Sequence, residues 1–234
     1  TGNCFAWRNA TAKHPDPCLN FNRRSLGMWG MFAKGLEVDV GLRWCGQMEW
    51  ATTAEGAAEL ESRAAQLQAW GYPCQMLDGA QAAQLEPSLS LGDVTAAIYC
   101  DLDGMVEPTL AAEACIRAAA KHGATVKLET EVTSLQADSG SASVVAGGES
   151  IESDVVVLAG GLDNTPLAAM AGIFIPQQDS PGVVIRTNPI PQPLLANVSV
   201  IYAPPLEPGR PEIHLRQCLN GSATVPYTHL RAHE

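Results

Sequence analysis

The chain has 234 residues, of which 46% are hydrophobic and 17% are charged, a composition typical of a globular protein with a core rather than of a disordered chain. Its formal net charge of −11 argues against a nucleic-acid-binding surface, which needs clustered Lys and Arg. No apolar run approaches the ~20 residues that cross a bilayer, so no transmembrane segment is expected.

Five elements are predicted in the first hundred residues: a helix over 18–36, a strand over 42–51, a helix over 53–70, a short helix from Asp78 to Pro87 and a strand over 94–100. The helix over 53–70 has the clearest signals. Thr52 and Glu55 have the spacing of a capping box, and Gly71 supplies a stop.

The second half of the chain opens with a well-defined helix start. Pro108 suits the first helical position because its missing N–H costs nothing there, and Gly123 ends the helix. Further elements are predicted in this order: strands over 125–130 and 132–135, a Ser/Gly-rich hairpin over 138–150, a fully buried strand over 154–159, a short helix over 165–172 and an extended segment over 212–216. The apolar run over 155–159 is typical of a parallel sheet that is covered on both faces.

The cysteines and histidines do not predict a metal site. The seven cysteines are scattered, odd in number and without a C-x-x-C pair, which favours reduced thiols in a cytoplasmic protein. His14 and His214 each have a cysteine four residues further on, but neither pair has the third and fourth ligands that a closed zinc site needs. The sequence also lacks the G-x-S-x-G, P-loop and G-x-G-x-x-G motifs.

Two stretches carry a resemblance to a known family. The first is Asp103-Gly104-Met105-Val106-Glu107-Pro108 with the helix that follows and the strand through Val132, and the second spans 154–162. In this order they resemble the central part of the D-amino-acid-oxidase family of flavoproteins, which includes glycine oxidase, sarcosine oxidase and D-amino-acid dehydrogenase. The turn Gln84-Leu85-Glu86-Pro87 and the opening loop lie where that family has similar sequence.

The resemblance, which covers residues 1–225, implies an α/β (α+β mixed) fold with an FAD cofactor. An incomplete Rossmann-like FAD-binding domain, residues 1–41 and 101–172, would be interleaved with a β-sheet-based substrate domain, residues 42–100 and 173–225.

The resemblance also implies which residues contact FAD and substrate. The opening loop would wrap the pyrophosphate and the flavin ring, the backbone at one strand would bond to the adenine, and a glycine turn would let the main chain approach the cofactor without a Cβ. The residues concerned are Thr1, Gly2, Ala6, Trp7 and Arg8 in the loop, Val132 in the strand, and Ala159, Gly160 and Gly161 in the turn. His214 lies where relatives place a tyrosine that helps to hold the substrate carboxylate, and is the candidate catalytic residue. The alternatives are a plain turn at Gly160-Gly161 and a solvent-facing His214.

The activity that the resemblance implies is the oxidation of a small amine or amino acid. Hydride would pass from the amine-bearing carbon to FAD, and the imine would then hydrolyse. Two alternatives stay open: a flavin enzyme of the same fold that oxidises a hydroxy acid or polyol, and a non-catalytic binding module. The electron acceptor, oxygen or a quinone, is also open, as is a homo-oligomeric state; a quinone would be compatible with peripheral membrane association.

The ends of the sequence lead to two expectations. The chain is expected to be an internal piece of the parent enzyme that does not hold flavin alone, because the glycine-rich dinucleotide turn is absent and Thr1 opens directly into a loop. In relatives the arginine that binds the substrate carboxylate comes from a later segment, so none is assigned. Residues 226–234, PYTHLRAHE, differ in character from the preceding sequence and are predicted to be a non-native tail.

Overall fold

The computed structural model describes residues 2, 4–11, 13, 16–138, 140–177, 183–205 and 212–227. Contacts divide the chain into two compact units, one formed by Thr1–His122 with Gly182–Glu234 and the other by Gly123–Pro181. The division into a flavin domain and a substrate domain stays a prediction. Thr1, a predicted FAD contact, lies outside the described residues.

The described residues form short strands and five α-helices. In chain order these are β1 (Trp7–Arg8), α1 (Asp16–Gly35), β2 (Gln47–Ala51), α2 (Ala54–Ala69), β3 (Gln75–Leu77), α3 (Gly79–Leu85), β4 (Ala96–Cys100), β5 (Gly104–Met105), α4 (Pro108–Lys121), β6 (Val132–Asp138), β7 (Ser141–Ala146), β8 (Glu149–Ser153), α5 (Asn164–Met170), β9 (Val183–Arg186), β10 (Val200–Ala203), β11 (Ile213–Gln217) and β12 (Ala223–Tyr227).

The first unit is built on a seven-stranded mixed sheet in the order β3-β4-β2-β10-β11-β12-β9. β2 and β10 run parallel, and the other neighbours in this sheet are antiparallel. Alternate residues of β2 point to opposite faces. Met48 and Trp50 pack in a core with Ala82 of α3, while Ala51 joins a second core with Leu60 and Leu67 of α2. β1 and β5 form a separate two-stranded sheet.

Local signals place most helix ends as predicted. Asp78 and Gln81 form a full capping box at α3, and Pro108 is the first residue of α4. The predicted capping box at α2 is wrong by one residue. Thr53, not Thr52, is the cap, and its hydroxyl oxygen accepts from the amide of Gly56 at 3.1 Å. Either threonine has the chemistry of a cap, so where the helix begins decides which one serves.

The second unit contains the antiparallel meander β6-β7-β8, which confirms the predicted hairpin. Residues 125–130 and 154–159 are described by the structure, but neither segment forms the strand that was predicted for it. The side chains of Val155 and Val157 are 74% and 80% exposed instead of buried. The physical reason is that no described strand pairs with either segment, and an extended segment becomes a strand only through the ladder of a neighbour.

Two smaller differences concern strands of the first unit. The strand predicted over 42–51 begins only at Gln47, and Arg43 makes an isolated bridge to Met105. Pro226 and Tyr227, assigned to the predicted tail, lie in β12 and pair with β9; the rest of that tail lies outside the described residues.

Within the described ranges, no helix has the length and apolarity that a membrane crossing requires.

Candidate functional site

His214 lies in an aromatic group on one face of the seven-stranded sheet. Tyr202 of β10 is its direct partner across the strands, with 4.1 Å between ring centroids. Trp7 of β1 meets His214 edge-on at 5.7 Å, and Phe5 lies 6.2 Å away. Burial lowers the pKa of His214, while the nearby Glu212 acts in the opposite direction. The structure thus brings the predicted loop residue Trp7 together with a half-buried, neutral His214.

The same face carries a row of polar side chains beside the aromatic group. Glu49, Tyr202 and His214 are register partners on β2, β10 and β11, so their side chains share a face. The Glu49 carboxylate is paired with the guanidinium of Arg63 on α2. Burial raises the pKa of Glu49 despite this partner. A cleft of about 550 Å³ reaches Tyr202 of the aromatic group, and its lining also includes Glu49, Arg63 and Glu212.

Arg8 points away from His214 and is buried among other aromatic rings. Its guanidinium carbon lies 3.8 Å from the ring centroid of Trp44 and 5.0 Å from that of Trp29. Within the described part of the chain, none of its three side-chain nitrogens has a hydrogen-bond partner. Burial lowers the pKa of Arg8 to about 10, so it is still a cation at neutral pH. Stacking occupies the guanidinium face and leaves the in-plane N–H groups for an acceptor.

The opening loop is fixed by a buried carboxyl group, Asp103. Asp103 accepts hydrogen bonds from the hydroxyl of Tyr72 and, at 3.3 Å, from the hydroxyl of Thr11. The next residue, Gly104, pairs with Arg8, and a Cβ on it would lie 2.2 Å from the carbonyl oxygen of Arg43. Asp103 and Gly104 open the first stretch that resembles the family, and each residue has a structural role there. Asp103 anchors the opening loop, and Gly104 leaves room for the backbone of Arg43.

The ionisation of Asp103 leads to a prediction about stability and pH. Burial raises its folded-state pKa from 3.8 to about 7, although hydrogen bonds from Tyr72 and Thr11 act in the opposite direction. Between these pH values the unfolded state is ionised and the folded state is not. Stability is therefore lost as the pH rises from about 4 to about 7, by roughly 4 kcal/mol at 1.36 kcal/mol per pKa unit.

We expect Asp103→Asn to abolish the loss of stability between about pH 4 and about pH 7. The free energy of unfolding is measured by urea unfolding at several pH values. Asp101→Asn, an exposed change two residues away, is the control and should leave the slope of the parent. Parallel profiles for Asp103→Asn and the parent would show that Asp103 does not titrate in this range.

Two glutamates, each followed by proline, connect distant segments around the site: Glu86 is fully buried and Glu107 is largely buried. Glu107 accepts from Nη1 of the fully buried Arg216 at 3.2 Å and from the amide of Leu219 at 3.0 Å. Glu86 accepts from three successive amides at residues 196–198, just before β10. Both Glu-Pro pairs belong to the stretches that resemble the family, but their roles were missed at the level of sequence. The repeated Glu-Pro was the available signal.

The remaining predicted FAD contacts lie in both units. In the first unit, Ala6 has a φ of 56°, in the left-handed region, and the carbonyl of Gly2 accepts from Arg186. In the second unit, Val132 begins β6 and pairs with Ala146. Ala159, Gly160 and Gly161 form a turn into a short 3-10 helix.

Interactions within the turn itself account for some features of Gly160 and Gly161. The amide of Gly160 donates to the side chain of Asn164 at 2.7 Å, so this N–H already has a partner. Gly161 has a φ of 66°, which favours glycine whatever else is bound. A cofactor contact at this turn stays a prediction. Among the described residues, no group of three or more His, Cys, Asp or Glu side chains is placed to hold a metal ion.

The fold is one that amino-acid oxidases share. The crystal structure of glycine oxidase from Geobacillus kaustophilus matches the chain with a TM-score of 0.79 at 22% identity, covering 100% of this chain and 63% of that one. Iminodiacetate oxidase from Chelativorans sp. BNC1 matches with a TM-score of 0.78 at 19% identity, covering 97% and 62%. The predicted mixed α/β class is confirmed.

Residues 2–231 match the family of FAD dependent oxidoreductases (DAO), and the chain belongs to that family. An opine oxidase component from Agrobacterium tumefaciens (strain Ach5) is 31% identical over 193 residues, which are 79% of this chain and 52% of the relative. Glycine oxidase of Geobacillus kaustophilus (strain HTA426) is 30% identical over 158 residues, which are 68% and 42%. The chain thus spans about half the length of these relatives.

The predicted family and cofactor are therefore confirmed, and the cofactor is FAD. Arg8 fits this cofactor because it is a buried cation whose N–H groups lack acceptors among the described residues, and FAD carries two phosphates. A charge-assisted hydrogen bond from Arg8 to an anionic part of FAD would satisfy a group that is otherwise costly to bury.

Proposed function

We propose that the protein oxidises a small amine or amino acid and that the sheet face around His214 contacts the substrate. The observation that carries the proposal is the contact of Trp7 with His214, 5.7 Å between ring centroids. Through it, the loop predicted to wrap FAD lies against the residue predicted to hold the substrate. The relatives support this substrate class, because two of them are named as a glycine oxidase and an opine oxidase.

The residues of this face have distinct roles in the proposal. When bound, FAD takes up the hydride from the carbon that bears the amine. His214 is neutral, so one ring nitrogen donates a hydrogen bond to the substrate carboxylate while the other can accept one. Phe5, Trp7 and Tyr202 cover part of this imidazole, and a less polar surrounding strengthens the hydrogen bond. If the amine binds neutral, no side chain has to act as a base.

We further propose that residues outside this sequence complete the nucleotide-binding sheet. The apolar segment 155–159 supports this proposal because it has the composition of a buried strand, yet Val155 and Val157 are exposed. The aligned residues make up only 42% and 52% of two relatives, one of which is named as an opine oxidase subunit; further residues of a longer chain or of a partner chain would supply the missing strands. The 234 residues alone are accordingly proposed to be inactive.

The role of His214 can be tested in the complete, flavin-loaded protein, which includes the residues outside this sequence, by anaerobic mixing with a panel of amino acids. We expect His214→Phe to slow the reduction of FAD by roughly 10- to 100-fold, because a buried carboxylate loses a hydrogen bond worth about 1.5–3 kcal/mol. His214→Tyr should retain most of the rate, since its hydroxyl can donate in place of the imidazole.

The control for this experiment is His122→Phe, at the exposed C-terminal end of α4. It should reduce at the rate of the parent, and all variants should hold the same amount of FAD. If His214→Phe also reduces at the rate of the parent, His214 does not contact the substrate. If no amine or amino acid reduces the flavin, the proposed substrate class itself is wrong.

A further inference from the structure

Two cysteines face each other across a pair of strands in the first unit. β3 and β4 are antiparallel, with Gln75 opposite Tyr99 and Met76 opposite Ile98. Continued by one residue, this register puts Cys74 opposite Cys100, the last residue of β4. Directly opposed residues have Cβ atoms about 4.5–5.5 Å apart, slightly beyond the ~3.5–4.5 Å of a disulfide. A small closure of the strand ends therefore brings the two sulfur atoms to bonding distance.

The surroundings of the two thiols differ in a way that assigns them different chemistry. A hydrogen bond with Cys100 lowers the pKa of Cys74, and the charge of Arg63 acts in the same direction. The same contact, together with burial, raises the pKa of Cys100. Cys74 is 7% exposed and Cys100 is completely buried. Both sulfur atoms lie in the same core, but only Cys74 keeps some exposure, so peroxide reaches Cys74 first and Cys100 lies behind it.

The pair lies next to the group that anchors the opening loop. Tyr72, two residues before Cys74, donates to Asp103, three residues after Cys100. A covalent link between the cysteines would close a ring through this hydrogen bond. It would therefore hold together the segments on which Thr11 and Arg8 depend.

We propose that Cys74 and Cys100 are a peroxide-reactive pair that forms an intramolecular disulfide. The Cys74 thiolate attacks one oxygen of hydrogen peroxide, the O–O bond breaks, and the products are a sulfenic acid and, after protonation, water. The Cys100 sulfur then attacks the Cys74 sulfur, and the S–O bond breaks with loss of its proton and release of a second water. Two thiols lose two electrons in total and the peroxide gains them, so no other reactant is needed. The proposal goes beyond the proposed function and does not depend on it.

The test is to add hydrogen peroxide to the native chain, block the remaining thiols with N-ethylmaleimide and map the peptides. Cleavage after acidic residues is required, because no Lys or Arg lies between the two cysteines while Asp78, Glu86 and Asp93 do. We expect one linked peptide pair, Cys74 with Cys100, and a rise of several degrees in Tm on oxidation.

Single variants separate the attacking thiol from the resolving one. Cys74→Ser should leave Cys100 reduced, whereas Cys100→Ser should leave Cys74 to proceed to sulfenic and sulfinic acid. Cys45→Ser, which removes an exposed thiol elsewhere, should still form the link. Oxidation of the exposed Cys45 shows that enough peroxide was added. If Cys74 and Cys100 both still react with maleimide after the chain is then unfolded, the proposal is overturned. It is also overturned if Cys74 or Cys100 links mainly to a cysteine outside the pair.

Discussion

Replacing Glu107 by Ala is expected to lower the free energy of unfolding by about 3–5 kcal/mol, the usual cost of removing one partner of a buried ion pair. Arg216 is 0% exposed, and Glu107 is the partner of its Nη1. Its Nε and Nη2 have no hydrogen-bond partner among the described residues. The substitution would leave a buried guanidinium without a counter-charge and the amide of Leu219 without its acceptor.

The measurement for Glu107→Ala is urea unfolding beside Glu113→Ala on the same helix. Glu113 pairs with Arg117 at 3.6 Å, but both side chains are largely exposed, so its loss should cost no more than about 0.5 kcal/mol. The double variant Glu107→Ala with Arg216→Met should recover part of the loss, because it removes the stranded charge as well. Equal destabilisation by Glu107→Ala and Glu113→Ala would mean that the pair contributes nothing beyond a surface contact.

Replacing Glu86 by Ala is expected to cost a similar amount, about 3–5 kcal/mol, for a different reason. Its fully buried carboxylate accepts from the amides of Ala196, Asn197 and Val198 at 2.8, 2.6 and 2.5 Å. Hydrogen bonds to a charged group contribute about 1.5–3 kcal/mol each, and buried amides left without acceptors add a penalty. Since these amides precede β10, their release should also loosen the strand that carries Tyr202.

Glu86→Gln distinguishes this arrangement from a simple loss of volume. Both carboxylate oxygens of Glu86 accept from backbone amides, and the NH₂ group of Gln would point a donor at a donor. We expect Glu86→Gln to lower the free energy of unfolding by more than half as much as Glu86→Ala does. The amides of residues 196–198 should exchange hydrogen faster in both variants than in the parent. Glu61→Ala, an exposed change on α2, is the control. Slow exchange at 196–198 in Glu86→Ala would contradict this role.

The elements that could be predicted are those whose signals are local. The capping box of Asp78 with Gln81 and the position of Pro108 depend on neighbours within a turn, and both are confirmed. The strand predicted over 154–159 was wrong because apolar composition says only that a segment suits a sheet. Whether it joins one depends on a partner strand elsewhere in the chain or outside it.

The candidate site divides in the same way. Resemblance to the family pointed to Trp7 and His214, and the structure places them in contact. The roles of Asp103, Glu86 and Glu107 could not be predicted, because their partners lie far away in sequence. Glu107 and Arg216, for example, are 109 residues apart. A buried charge looks like any other Asp or Glu in a sequence until its distant partner is known.

The placement of the tryptophans has an optical consequence. Trp7 meets His214 edge-on, while Trp29 and Trp44 contact the guanidinium of Arg8. Three of the five indoles in the chain therefore contact the two residues that are proposed to bind substrate and cofactor. The intrinsic tryptophan fluorescence of the protein therefore reports on the surroundings of His214 and Arg8. A ligand that engages either residue changes that emission, and a flavin bound nearby quenches it by energy transfer.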